Sequence, residues 1–275
     1  MKNVLVCLPK RLPPEMLVHA ARTAVAINPL NHAPLERLVR VMPDFHLTPE
    51  RIAVVVTKYW GVGGVRLTVG FLEAAPANLR KRLLQHMNAW SQTGNVKFVE
   101  TNTDPQVRIA FQGGDQGGYW SYVGTDILHI PKNEQTMNLE AFSMDTPDSE
   151  FHRVVRHETG HTLGFPHEHM RRVLVEKIDP QKAIEYFGRT QGWSESEVRA
   201  QVLTPIEEST LMGTVADPKS IMCYQIPGFL TKDGKAIVGG KDIDKSDYGF
   251  AGKIYPKKSA ATSPAKAKPA AKSRR

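Results

Sequence analysis

The stretch His157-Glu158-Thr159-Gly160-His161-Thr162-Leu163-Gly164-Phe165-Pro166-His167 decides how the chain is read. Residues four apart on a helix share a face, so His157 and His161 present two imidazoles to one point. Glu158 sits one step round the helix, within reach of a water held at that point but outside the ligand set. Gly164 can adopt a left-handed conformation, which ends the helix and turns the chain. That turn returns His167 as a third imidazole. Three protein ligands leave an open position, the mark of a catalytic rather than a structural zinc site. Upstream, Asp148 or Ser149 is placed to cap the helix, and Phe151, Val154 and Val155 give it a core-facing side. A bare H-E-x-x-H can fall on any helix; the full H-E-x-x-H-x-x-G-x-x-H, met here without departure, is far more specific.

Working outward, residues 51–145 read as strand-rich around one strong helix. Ile52–Thr57 is a β-branched run, and Val65–Phe71 alternates. Leu79, Leu83, Met87 and Trp90 fall on one helical stripe between Asn78 and about Thr93, which Gly94 stops. Val96–Glu100 and Val107–Phe111 read as short strands on either side of an Asp104-Pro105 turn. Tyr119–Val123 and Asp126–Ile130 read as a strand pair or one strand bent at Gly124. Strands around a helix, then a second half of helix and loop, give an α+β chain with a mixed sheet. Residues 1–50 hold two helices, near 14–27 and 34–42, broken at Asn28-Pro29. Residues 178–203 read as two helices around Gly192-Trp193, and Asp242–Tyr255 as a closing helix that stops at Pro256.

The 275 residues are 41% hydrophobic and 23% charged, ordinary for a globular protein able to bury its own core. The net charge of +8 invites a nucleic-acid reading. Seven of those charges, however, are Lys257, Lys258, Lys266, Lys268, Lys272, Arg274 and Arg275, in a tail without an acid. The remainder is close to neutral. Residues 257–275 have almost nothing to bury and read as a disordered, solubilising terminus, with nucleic-acid or anionic-surface attachment as the lesser alternative. Two cysteines, Cys7 and Cys223, give no disulfide framework. The apolar run at the N-terminus is broken by Pro9 and a basic pair, too early for a secretory segment. No stretch has transmembrane length. The expectation is a soluble chain, cytoplasmic or exported by a non-classical route.

With these residues in view, the eleven-residue motif followed by Glu168 resembles the zinc signature of metzincin proteases, most closely the astacin type. Ser220-Ile221-Met222-Cys223-Tyr224 fits the family's methionine turn, with Met222 55 residues after His167. The resemblance implies one catalytic Zn2+ on His157, His161 and His167, with Met222 as the hydrophobic floor beneath them. Tyr224 would be a switchable ligand or a donor to the oxyanion. It also implies an N-terminal subdomain of twisted sheet and helices whose edge strand pairs with substrate. That edge would be Tyr119, Trp120, Ser121 and Tyr122, or its continuation to Ile130. The implied catalytic domain is 51–256, with 1–50 as a helical cap or pro-like segment.

The implied activity is that of a zinc endopeptidase with Glu158 as general base, acting on protein or peptide substrates. A hydrolase of a non-protein, cell-wall-type amide and an inactive binding module are the alternatives. Astacin-type disulfides are absent, and His169-Met170-Arg171-Arg172 departs from the family's usual continuation. Among the other histidines, His169 is close enough to line the cleft; His19, His32, His46, His86, His129 and His152 read as surface or core. A Cys7 thiolate or an Asp44 carboxylate could plug the zinc, although the residues flanking Cys7 match no known switch. Met137-Asn138-Leu139 reads as a pocket-wall loop.

Overall fold

A computed structural model of the chain describes residue 7 and residues 10–41, 56–61, 63–205 and 216–257. The expected strand at Ile52–Thr57, Asp44 and the basic tail beyond 257 lie outside the described residues, apart from the last two residues of that strand. Five strands form one mixed sheet: β1 (Val65–Phe71), β2 (Val96–Glu100), β3 (Val107–Ala110), β4 (Tyr119–Ser121) and β5 (Met137–Leu139). Their spatial order is β2-β1-β3-β5-β4. All neighbours are parallel except β4, which runs antiparallel to β5 and closes one edge. Tyr119 pairs with Leu139 and Ser121 with Met137.

Helix α1 is Pro14–Ile27, α2 is Ala33–Val41 and α3 is Ala77–Met87. Helix α4 is one continuous run: Asp148–Glu150, a wider π-helical turn at Phe151–Val155, and Arg156–Thr162. Helix α5 is Pro180–Gln191, and the closing helix α6 is Lys245–Ile254. The α3 stripe of Leu79, Leu83 and Met87, continued by Trp90, meets Val65, Leu67 and Val69 of β1 and Phe151, Val154 and Val155 of α4 in one buried core. That core is what fixes α4 against the sheet, since burial of apolar surface is the dominant favourable term. Trp90 adds direction, donating its indole N–H to the Arg156 carbonyl at 2.9 Å. A second core joins α5, Trp193, Val198 and Val202 to Tyr224, Ile226, Leu230 and Ile237 beneath the site.

The structure corrects three expectations. Gly124–His129 is a 3₁₀ turn and not a strand: Gly124 has φ of +52°, which breaks extended backbone, and Thr125 donates instead to the Lys58 carbonyl. Met137–Leu139 is the strand β5, so its residues form the sheet and not a pocket-wall loop. The edge strand is therefore β4, while the last strand before α4 is β5. Neither Asp148 nor Ser149 caps α4; Pro147 holds the N-cap position, and Asp148 instead accepts from Arg82 at 2.9 Å.

The N-terminal helices pack on residues 57–60 through buried amides as well as apolar contact. Asn31 Nδ2 donates to the Ala24 and Tyr59 carbonyls, both at 2.8 Å. Asn28 Nδ2 donates to the Trp60 carbonyl at 2.7 Å. The Asn28-Pro29 break thus separates two helices and also ties them to residues 57–60.

Candidate metal centre

The end of α4 explains the site's rigidity. Helix C-termini leave unpaired carbonyls. Here Gly164, with φ of +93°, turns the chain back so that Phe165 donates to the Gly160 carbonyl at 3.0 Å and Gly164 to His161 at 2.7 Å. The Thr162 carbonyl accepts from the Trp60 indole at 2.9 Å, and the Leu163 carbonyl from the Tyr255 hydroxyl. His167 is thereby returned beside the helix, as the spacing predicts.

The three imidazoles converge. His161 Nε2 lies 3.1 Å from His157 Nε2 and 2.9 Å from His167 Nε2, and the His157–His167 separation is 3.2 Å. His157 Nδ1 faces the Ile221 carbonyl at 2.6 Å, and His161 Nδ1 the Phe165 carbonyl at 2.8 Å. A carbonyl only accepts, so both rings carry their proton on Nδ1 and turn an Nε2 lone pair inward. Three buried nitrogens so arranged could hold a cation between them. Tetrahedral zinc, with Zn–N of about 2.0–2.1 Å, places its ligands slightly further apart than these, by a few tenths of an ångström. The donor set fits zinc. Burial also holds the imidazoles in the neutral, ligating form: His157 is pushed down to about 4, and His161 and His167 well below the usual histidine range. His167 Nδ1 is buried without a hydrogen-bond partner among the described residues.

Around this triangle sit the other expected groups. Glu158 is fully buried, and burial pushes its carboxyl up to about 8. Its backbone carbonyl accepts from Ser121 Oγ at 3.1 Å, tying β4 to α4. Tyr224 lies with its ring 4.1 Å from that of His167 and stacked 4.0 Å over His169. Its hydroxyl is buried beside Cys7. Met222 is buried beneath the helix: a Cβ on Gly160 would come within 2.4 Å of its sulfur. The turn carrying Met222 is held by Asp247, whose carboxylate accepts from Ser220 Oγ at 2.6 Å and from Ile221 N at 2.8 Å. Of the edge residues, Trp120 and Ser121 are buried, and Tyr119 and Tyr122 are half-buried.

Cys7 completes the constellation. Its sulfur and the ligand nitrogens of His157, His161 and His167 all lie within 4.8 Å of one another. Its thiol donates to Glu158 Oε2 at 3.3 Å. Gly160 and Asp247 are functional positions that sequence reasoning passes over. An unrestricted x in the histidine motif hides the first. The second has the ordinary look of a residue near a helix start.

A second cluster, His86, Asp148 and His152, has metal-like spacing. Arg156 Nε donates to His86 Nδ1 at 3.3 Å, which puts the His86 proton on Nε2, the atom a metal would need. Arg82 and Arg156 supply the positive charge there, so the cluster is an ion-pair network between α3 and α4.

Comparison with known proteins agrees with this geometry. The profile of the peptidase family described as Astacin matches residues 56–249. A solved structure of myroilysin is 32% identical, with a TM-score of 0.67, over 73% of this chain and 96% of that one. A second myroilysin crystal structure, also 32% identical, gives a TM-score of 0.56 over 73% and 86% of the two chains. The zinc metalloproteinase nas-27 of Caenorhabditis elegans is 35% identical over 97 residues, 35% of this chain. That match spans only 20% of the nas-27 length. With most of its length matched by the family profile and the same fold in a relative 32% identical to it, the chain belongs to the astacin family of zinc metallopeptidases.

Proposed function

We propose that the chain is an endopeptidase that hydrolyses peptide bonds at a single zinc ion held by His157, His161 and His167. The observation that carries this reading is the convergence of three Nε2 atoms within 3.2 Å, with two of the rings locked by backbone carbonyls. Zinc, when bound there, supplies Lewis acidity toward a carbonyl and brings a water's pKa near neutrality. Glu158 takes a proton from the attacking water and returns it to the leaving amine. Its carboxyl, buried one step round the helix from His157, is placed for both halves of that exchange. Tyr224 offers its hydroxyl to the oxyanion as charge develops. His169, stacked on the Tyr224 ring, holds that ring in place. Met222 packs under the histidines, and Gly164 sets the turn that returns His167. The β4 edge, Tyr119 to Tyr122, supports an extended peptide by main-chain pairing. Nothing about the site favours a non-protein amide, and Glu158 beside three intact ligands speaks against an inactive binding module.

Metal analysis and casein digestion test the reading together. The chain should hold one equivalent of zinc, and a chelator should stop digestion. Glu158→Gln should lower turnover by about 10²–10⁴-fold while the zinc stays bound. Equal turnover in the two proteins would remove Glu158 from its role.

A further inference from the structure

Two of the three imidazoles have their far nitrogen held by a backbone carbonyl, and the third has none. His157 Nδ1 faces the Ile221 carbonyl and His161 Nδ1 the Phe165 carbonyl, whereas His167 Nδ1 is buried with no acceptor among the described residues. We propose that His169 is the positioning residue for His167: its Nδ1 accepts the His167 Nδ1–H, directly or through one bridging water, and the Gln201 carbonyl fixes His169 in the tautomer that can do so. The inference rests on the zinc reading above and adds to it the support of the third ligand.

The placement of protons carries the assignment. His167 turns Nε2 into the triangle, 2.9 Å from His161 Nε2 and 3.2 Å from His157 Nε2. A ligand through Nε2 carries its proton on Nδ1, so His167 Nδ1 is a buried donor, and a buried donor left unpaired is costly. His169 presents the complement. Its Nε2 lies 3.0 Å from the Gln201 carbonyl, which only accepts, so the proton sits on Nε2 and Nδ1 holds a lone pair. This second Nδ1 is likewise buried without a hydrogen-bond partner among the described residues. Full burial keeps the His169 ring neutral. An unmatched donor and an unmatched acceptor therefore sit on rings whose centroids are 5.0 Å apart. The Tyr224 hydroxyl beside them is engaged by Cys7.

Packing keeps the two histidines together. His169 and Tyr224 stack with centroids 4.0 Å apart and planes 16° apart, and the Tyr224 ring also meets His167 at 4.1 Å. Each of the three rings touches the other two, so rotation of one is opposed by its neighbours. Gln201 belongs to the π-helical turn Arg199–Leu203, and the last carbonyls of a helix have no partner within it. Val198 and Val202, on either side of Gln201, are buried in the second core with Tyr224. The helical stretch 178–203 thus reaches the third ligand through Gln201 and His169. An acceptor on the far nitrogen of a ligating histidine fixes the ring's orientation and raises its basicity toward the metal.

Zinc affinity of the full chain, measured by competition with a chromogenic chelator, tests the role. His169→Phe keeps a ring against Tyr224 but offers no acceptor, and it should raise the zinc Kd by about 10–100-fold. His169→Asn, whose Oδ1 stands in for Nδ1, should bind zinc more tightly than His169→Phe although it forfeits the stacking. A nitrogen-edited proton spectrum of zinc-loaded, histidine-labelled protein gives a readout independent of turnover. In wild type His169 should carry its proton on Nε2 and His167 on Nδ1, and the His167 Nδ1–H resonance should move upfield in His169→Phe. Unchanged affinity in His169→Phe, a loss in His169→Asn as large or larger, or a His169 proton on Nδ1 overturns the assignment and leaves the zinc reading standing. Wild type that binds no zinc overturns both. The wild-type spectrum decides the matter even if the variants fail to fold.

Discussion

At the scale of single residues, the site depends on atoms that are missing as much as on those present. Gly160 has no side chain because Met222 Sδ and Trp90 occupy that space. Neither is a flexible tip that can swing clear, since both are buried in the core. Gly160→Ala should therefore destabilise the fold by about 1–3 kcal/mol and displace Met222 from beneath the histidines. Thermal unfolding of the zinc-loaded variant, followed by zinc affinity, checks both effects. An unchanged melting temperature would mean that Met222 is free to move. The ligands, Glu158 and the helix-ending Gly164 were legible because helical periodicity fixes where each points. Gly160 and Asp247 were not, because their partners, Met222 and Ser220–Ile221, lie far away in sequence. Cys7 was visible as a candidate, but only its packed position shows which group it meets.

At the scale of elements, α3 and α4 are joined by a charged seam as well as by the core. His86 is buried on α3, facing Arg82 of its own helix and Asp148, His152 and Arg156 of α4, with Asp242 behind. Burial first, and then Arg156, lower its pKa from 6.5 to about 4. The folded form thus binds its proton less readily than the unfolded chain, so stability rises with pH. The contribution is complete above pH 6.5 and is lost as pH falls through 4. The expected loss is about 2 kcal/mol, and His86→Gln, which keeps an acceptor for Arg156, should reduce it. Urea unfolding at pH 7 and pH 4 measures the difference; identical pH slopes for the two proteins would exclude His86 as its source.

Local pattern made most elements readable. Alternation gave β1, and the Leu79–Trp90 stripe gave α3. Pro14 and the Asn28-Pro29 pair bounded α1 to the residue. The three-residue β5 escaped because it carries no repeat long enough to show a period and is fixed only by pairing with β3 and β4. Asp126–Ile130 has strand-like composition, yet the left-handed Gly124 just before it and the Lys58 carbonyl beside it impose a turn.

For the whole molecule, the histidine triangle links parts that have little else in common. His157 and His161 come from the body of α4 and His167 from the turn beyond it, and the Met222 turn supports His157 through the Ile221 carbonyl. Zinc at a hundredfold excess over its Kd should add about 2.7 kcal/mol to unfolding free energy relative to stripped protein. Calorimetry with and without chelator checks this, and a coincident pair of melting curves would mean that the site forms no part of the folded core. Histidine spacing indicated the metal but not its reach, which depends on contacts between the two cores.

The antiparallel β4 has one further consequence. An outermost strand with free amide and carbonyl groups is a template on which another polypeptide can dock edge to edge. Lys10 engages that rim in the intact chain. Trimming the first residues would therefore uncover a surface prone to self-association, and the shortened protein should need dilute or crowded-with-substrate conditions to stay dispersed.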